Sequence, residues 1–397
     1  MNNKRILIVD ALRGFALLLI VLIHYVEHFD FFYNPEINFL FSPQTDGKVM
    51  EMVFFLISGK AYSIFALLFG FSFFIQMNRK EKEGIDFRRR FLWRLTVLFA
   101  MVFIHSLIYK GDILHIYAVL GIILLLLYKV NTKALWLITI VLLLQIPILI
   151  HLISSFLNPA YEYLQSFGSN YWEEANSTYA NGSFFEVVSF NLWKGRTTVL
   201  GWTFYNGRYL QLPALFIVGF ILGRKQIFEE ISNYKKNIFS VLIGSVVLYG
   251  VIYLLLQSIA NNQFTDTQKT LLNILLGSYA NLAFTSVLIT SIILLYLKFK
   301  EGAIFIQFSA YGKMSLSNYV FQAIFGVVFF YGFGLGMYRN LGSTWSILIG
   351  LAVFVIQSFI SAYWSKKYYY GPLEWFWRSV TFFDFKTKFR KLEVKAE

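Results

Sequence analysis

Ten stretches of mostly apolar residues, each about as long as a helix that crosses a bilayer (roughly 20 residues), run from one end of this chain to the other. They lie near 9–29, 50–77, 92–109, 113–128, 134–156, 206–222, 238–257, 273–297, 311–331 and 345–365 of the 397 residues. The expected fold is all-α: a polytopic integral membrane helix bundle of about ten transmembrane helices, N-in/C-in, as a single domain over 1–397. Hydrophobic residues make up 57% and charged residues 14% of the sequence, where a soluble domain runs near a quarter charged. The 44 Phe suit hydrocarbon, and the 25 Tyr and 9 Trp suit its two interfaces. With no cysteine, disulfide and thiolate chemistry are both excluded. The N-terminus resembles a signal peptide, with Lys4 and Arg5 before an apolar run. That run passes Val21 without a small-residue cleavage site, so it reads as a retained first helix.

The net charge of +13 has no soluble basic domain to carry it, so no nucleic acid is expected as a partner. Topology accounts for it instead. With the N-terminus inside, 25 of the 35 basic residues fall in cytoplasmic segments and 7 in outer loops, as the positive-inside rule requires. The longest connection, about 157–205, falls outside and reads as an ordered cap or a substrate-facing loop. The tail, about 366–397, mixes aromatic and basic residues and reads as an amphipathic segment on the anionic cytoplasmic leaflet. No internal repeat is visible, which speaks against inverted-repeat transporters.

Ionisable residues at membrane depth are expensive unless paired, so each is a functional candidate. The first helix carries Asp10 and Arg13, nine apolar residues from Phe15 to Ile23, then His24. Arg13 and His24 are eleven residues apart, within about 20° of one helical face and separated by about 16 Å of rise. The bland alternative is that Arg13 snorkels to the headgroups while His24 sits at the outer interface. The stretch His24–His28, with Glu27, also matches the bare H-x-x-E-H zinc pattern, but no further ligand is placed by context, and no metal is expected. A second constellation holds His105, Asp112 and His115 in the outer hairpin between the third and fourth helices. A histidine beside a carboxylate is general-base apparatus; a solvated polar hairpin would look the same. Lys60 interrupts the second segment at depth. Ser315, Asn318, Tyr319 and Gln322 share a face of the ninth, where such stripes bind substrate or glue helices together. Arg88, Arg89 and Arg90 form a dense basic cluster that reflects topology or grips phosphates.

These residues lie in stretches that carry a resemblance. Val9-Asp10-Ala11-Leu12-Arg13-Gly14-Phe15, Ser63–Phe71, Gly111-Asp112-Ile113-Leu114, Tyr311–Tyr319 and Gly371-Pro372-Leu373-Glu374-Trp375-Phe376-Trp377-Arg378 resemble the YeiB-like family, domain of unknown function 418, in order over nearly the whole chain. That family is similar to membrane acyltransferases, including the acyltransferase 3 proteins and heparan-glucosaminide acetyltransferase. Acyltransferase 3 members carry an Arg, ten residues, then a His on the first helix, and Arg13 and His24 reproduce that spacing. Many YeiB-like proteins have Asn at the position of His24, which leaves either His24 or His105 as the base.

The resemblance implies a bacterial plasma-membrane enzyme that carries an acyl group from cytoplasmic acyl-CoA, with acetyl-CoA the first choice of donor, to an extracytoplasmic glycan, sugar or small-molecule acceptor. Catalytic candidates are His24, His105, Asp112, Glu27 and His115. Donor-binding candidates are Arg13, Asp10, Lys60, Arg88, Arg89 and Arg90, and acceptor-binding candidates are His28, Ser315, Asn318, Tyr319 and Gln322. The lipid bilayer is the obligate partner, and a homodimer is compatible with the sequence. The alternatives are a transporter or flippase for a polar lipid or glycan, and a scaffold that binds a partner through its tail.

Overall fold

In hydrocarbon every backbone N–H and C=O must be paired within its own segment, which forces these apolar stretches into helices. The computed structural model describes residues 6–32, 35, 41–165, 167, 171–300, 302–386 and 388–391. Lys4, Arg5 and the last residues of the tail, from 392, lie outside the described residues. Among the described residues the only β-type pairing is an isolated bridge between Tyr368 and Arg390.

In chain order the helices are α1 (Leu7–Val26), α2 (Pro43–Ile57), α3 (Lys60–Lys82), α4 (Arg88–Ile108), α5 (Leu114–Leu120), α6 (Ile122–Leu127), α7 (Thr132–Leu143) and α8 (Ile146–Leu157). The long connection holds α9 (Trp172–Asn181), α10 (Phe184–Phe190), a π-helical turn (Asn191–Gly195) and α11 (Arg196–Tyr205). Then follow α12 (Arg208–Arg224), α13 (Lys235–Asn261), α14 (Asp266–Lys298), α15 (Ala303–Lys313), α16 (Ser315–Phe330), α17 (Ser343–Lys367) and α18 (Pro372–Phe382).

Among the described residues, seven segments are long and apolar enough to cross a membrane: Leu7–Val26, Pro43–Lys82, Arg88–Ile108, Thr132–Leu157, Lys235–Asn261, Asp266–Lys298 and Ser343–Lys367. The pair α15 and α16, bent by 79°, makes an eighth if it counts as one span. The other two expected spans are shorter. Residues 113–128 form the apolar stretch Leu114–Leu127, broken at Gly121, and residues 206–222 form the 17-residue α12. Leu212, Pro213, Ala214, Phe216, Ile217, Phe220 and Ile221 of α12 are all buried, so this helix is sheathed by protein rather than by lipid.

Two glycine-lined crossings hold the bundle together. A methyl on Gly70 would lie 1.9 Å from the Phe216 carbonyl oxygen, and one on Gly219 would lie 1.8 Å from that of Leu67, so α3 and α12 touch backbone to backbone. Gly14 and Gly312 do the same for α1 and α15. Without a hydrophobic driving force between helices in lipid, such close approach is what van der Waals packing needs.

Contacts sort the loops into two ends. At one, the Arg224 guanidinium donates to the carbonyls of Val130 and Tyr128, the Tyr128 hydroxyl donates to Glu81, Lys300 donates to Ser232 at 3.2 Å, and Phe87 stacks on Phe382. This is the basic end. At the far end Asn191 donates to the carbonyls of Leu107 (3.0 Å) and Ile108 (3.2 Å), and the Gly332 amide donates to the Tyr179 carbonyl at 2.8 Å. The long connection is thus largely helical and covers the far end. The tail, expected as an interfacial segment, docks α18 on α4: the Trp377 indole donates to the Arg94 carbonyl at 2.9 Å, and the Arg94 guanidinium lies 3.6 Å over the Trp377 ring.

Candidate active site at the far end of the bundle

The far end of α1 turns abruptly. His28, Phe29 and Asp30 have φ of 45°, 62° and 63°, three consecutive non-glycine residues in the left-handed region. Each such residue costs on the order of 1 kcal/mol or more and persists only where its surroundings over-determine it. Here they do. The Phe29 amide donates to the His24 carbonyl at 2.8 Å, the Tyr331 hydroxyl donates to the Phe29 carbonyl at 2.7 Å, and the buried Phe29 ring lies 5.4 Å from Tyr109 and 5.6 Å from His24. The turn sends His28 away from His24. Its ring stacks on Phe330 at 4.3 Å and meets the Ser346 hydroxyl at 2.8 Å, so the zinc-like spacing does not assemble as a site.

The hairpin after α4 brings His105 and Asp112 together. His105 Nδ1 lies 2.5 Å from Asp112 Oδ2, and both side chains are buried. Asp112 Oδ1 accepts the Leu114 amide at 2.6 Å and the Tyr319 hydroxyl at 3.4 Å. A carboxylate on Nδ1 fixes a proton there and leaves Nε2 as the basic atom. That Nε2 is buried and without a hydrogen-bond partner. The Tyr319 ring lies 5.5 Å from the His105 ring and 6.1 Å from that of His24, while Tyr109 lies 4.9 Å from His24. Gln322, one turn beyond Tyr319, meets His24 Nδ1 at 3.1 Å through its amide nitrogen. Helices α1, α4 and α16 therefore each contribute to one cluster.

Unsatisfied atoms concentrate around it. Besides His105 Nε2, they include both ring nitrogens of His115, Gln322 Oε1 and the Lys110 ammonium, all buried. Most buried polar atoms find partners, so such a gathering needs an explanation. The Lys110 ammonium lies 4.5 Å over Trp172 and 5.1 Å over Tyr179. Burial pushes it down to about 8, against the pull of Asp30. Burial raises the Asp30 carboxyl, which Lys110 pulls back. Glu27, Asp30 and Arg208 each keep part of their surface open, and Arg208 rests 3.4 Å over Trp202 and 4.6 Å over Tyr62.

Of the residues expected from the sequence, His24, His105, Asp112, Tyr319 and Gln322 meet, with His115 beside them. Glu27 faces Asp30 and Arg208 at the edge of this cluster, and the others lie apart. Lys60 donates to the Phe55 carbonyl at 2.7 Å, closing the last turn of α2 at the break before α3. Asn318 donates to the Tyr311 carbonyl at 3.1 Å and to the Ser361 hydroxyl at 2.9 Å, pinning the bend between α15 and α16 to α17. Ser315 opens α16 at that bend. Arg13 pairs with Asp10 at 2.8 Å and donates to the Ser72 hydroxyl on α3. Arg88 pairs with Asp86 at 2.7 Å on the surface, Arg89 is exposed, and Arg90 donates to the Thr381 carbonyl of α18 at 3.0 Å. Sequence reasoning missed Asp30, Tyr109 and Lys110 as site residues. Tyr109 and Lys110 stand between His105 and Asp112 in the sequence, but no spacing rule picks them out; Asp30, an acid just after the His24–His28 stretch, carried a signal.

The family described as protein of unknown function DUF418 matches residues 222–384. The family described as heparan-alpha-glucosaminide N-acetyltransferase, catalytic, matches residues 5–172, the part that contains Arg13, His24, His105 and Asp112. The chain is 28% identical to the uncharacterized protein YxaH of Bacillus subtilis (strain 168), over 99% of this chain and 98% of that one. It is 24% identical to an uncharacterized 39.9 kDa protein in the amylase 3′ region of Bacillus acidopullulyticus, over 96% of this chain and 94% of that one. No solved structure matches significantly. The chain is a membrane protein that is similar to the DUF418 family in its C-terminal part and to the heparan-alpha-glucosaminide N-acetyltransferase catalytic family in its N-terminal part.

Proposed function

We propose that the protein is an acyl-CoA-dependent acyltransferase of the bacterial plasma membrane that acylates a hydroxyl or amine on an extracytoplasmic glycan or small-molecule acceptor. The observation that carries this reading is His105, oriented by Asp112 at 2.5 Å with its Nε2 buried and unpartnered. Between the two histidines that the sequence left open, this arrangement favours His105 as the base.

The acceptor O–H or N–H loses its proton to His105 Nε2 as the oxygen or nitrogen attacks the thioester carbonyl. Asp112 keeps the imidazole in place and stabilises the imidazolium. The tetrahedral intermediate collapses with cleavage of the C–S bond, and the coenzyme A thiolate leaves with the proton that His105 gives back. His24, Tyr109, Tyr319 and the Gln322 amide surround the reacting centre and supply donors to the oxyanion. Lys110, two residues before Asp112, and Asp30, whose carboxylate would lie 2.5 Å from a methyl on Gly111, offer an ammonium and an acid for acceptor hydroxyls. Arg13, about 16 Å of helix rise from His24, and the exposed Arg88 and Arg89 receive the donor phosphates at the basic end. The termini and the basic end then lie in the cytoplasm.

Acetyl-CoA binding to the purified protein in detergent, followed by thiol release with added acceptor, tests the reading. Saturable binding weakened by Arg13→Ala, with thiol release lost in His105→Gln, is the expected result. A folded protein that binds no acyl-CoA but moves a polar lipid or glycan across vesicles overturns it in favour of a transporter.

A further inference from the structure

We propose that Glu374, on the helix after the last span, is the positioning residue that sets the half-helix bearing Tyr319 and Gln322. The bend of 79° after α15 makes α16 start inside the protein, where its first amides have no intrahelical partner. The residue at its N-cap, Met314, makes no side-chain capping hydrogen bond. The acceptor comes from far along the chain: Glu374 Oε1 accepts the Leu316 amide at 2.7 Å and the Ser317 amide at 3.1 Å, and Oε2 accepts the Ser317 hydroxyl at 2.6 Å. An acidic group at this end of a helix also meets the positive end of its dipole. The cap is reciprocal, because the Ser317 hydroxyl oxygen accepts the Leu373 amide of α18 at 3.0 Å. Gly371 is what lets the two helix starts meet. A methyl there would lie 2.2 Å from Glu374 Oε2 and 2.9 Å from Ser317 Oγ. The Gly371-Pro372-Leu373-Glu374 stretch thus has a mechanical meaning: close approach, a proline at the first turn of α18, and the carboxylate that caps α16.

Tyr319 and Gln322 follow Ser317 by two and five residues, so a shift at the cap passes directly to the groups that touch Asp112 and His24. Helix α18 is itself fixed to α4, through the Trp377 indole on the Arg94 carbonyl (2.9 Å), the Trp93 indole on the Val380 carbonyl (3.1 Å) and the Arg90 guanidinium on the Thr381 carbonyl (3.0 Å). The other end of α4 carries His105. The tail helix therefore ties the start of α16 to α4, the two helices that must stay in register for His105, Asp112 and Tyr319 to meet.

The test reads structure in the full-length protein in detergent, so its outcome is separate from whether the site transfers acyl groups. Glu374→Ala and Gly371→Ala are expected to speed amide hydrogen exchange over residues 315–323 by about tenfold, with Glu374→Gln, which keeps one acceptor oxygen, giving a smaller rise. Exchange over the α3–α12 pair stays unchanged. In protein labelled with 15N-histidine, the imidazole signals of His24 and His105 move in the same variants, which a tail that merely anchors the bundle would not produce. If Glu374→Ala does not fold, Glu374→Gln and Gly371→Ala decide. Unchanged exchange over 315–323, or histidine signals that stay in place in folded variants, overturns the proposal.

Discussion

Asn318 and Tyr319 are neighbours on α16, yet they belong to two different kinds of buried polar residue. Asn318 turns toward α15 and α17, where its amide donates to two partners. Tyr319 turns toward α4, into a cluster where His105 Nε2, Gln322 Oε1 and both nitrogens of His115 have none. A satisfied network rigidifies the fold; an unsatisfied one carries a standing desolvation penalty. Where several unsatisfied atoms gather in one cluster, they need an explanation, and a substrate that completes them supplies it. By this criterion Lys60, capped onto Phe55, belongs with Asn318, and His105 belongs with the site.

Replacing His105 by Gln is the strongest way to break that distinction. Glutamine keeps a donor for Asp112 and much of the volume but removes the base, so the transfer rate should fall by about 10³-fold. The thermal unfolding midpoint should stay where it is. A midpoint that falls together with the rate would move His105 into the structural class.

Asn318→Ala should do the reverse. It leaves the Tyr311 carbonyl and the Ser361 hydroxyl short of a partner, at a cost of about 1–3 kcal/mol in stability. The rate per folded molecule should hold. Equilibrium unfolding and transfer assays on the same preparation check both halves, and a rate that collapses at full stability would make Asn318 an acceptor ligand after all.

This division also explains what the sequence made legible. Apolar length alone marks the spans that face lipid, such as α13, where Val246, Val247 and Leu254 are exposed. It says less about α12, which is apolar because protein surrounds it, and about the Leu114–Leu127 stretch, which is broken at Gly121 and leaves Val119, Ile122 and Leu126 exposed. For the site, charge at depth singled out His24, His105 and Asp112, because a titratable group in hydrocarbon needs a reason wherever it sits. The same rule also picked Lys60 and His28, since a sequence shows that a polar group is buried but not whether a carbonyl waits for it. Phe55 lies only five residues before Lys60, whereas Ser346 reaches His28 from across the chain. Glu374 was invisible as a partner of Ser317 for the same reason. Nothing local in the tail announces that a carboxylate there caps a helix start 57 residues away.

Lys60→Met sharpens the comparison at smaller scale. The ammonium closes α2 but is itself buried, so the lost hydrogen bond and the relieved desolvation nearly offset, leaving a change within about 1 kcal/mol. Acyl-CoA affinity should not move. A clear loss of affinity would return Lys60 to the donor site, where its charge at depth first placed it.

The smallest structural effect is expected at Arg88, and it is the most informative about the donor. Its pair with Asp86 is fully exposed, and exposed pairs of this kind contribute little to stability. Asp86 is nevertheless held below the usual carboxylate range by its bonds to Arg88. Arg88→Ala should therefore leave the unfolding midpoint unchanged, while calorimetry shows weaker acyl-CoA binding at low salt. Raising the salt should shrink the difference between variant and parent, because an exposed charge–phosphate contact is screened over about 10 Å at 0.1 M. Arg90 differs from its neighbour in being committed to the Thr381 carbonyl of α18. Arg90→Ala should lower the midpoint where Arg88→Ala does not. If instead both variants lose affinity equally and stability not at all, the cluster is a phosphate grip throughout, and the docking of α18 on α4 rests on Phe87, Trp93 and Trp377.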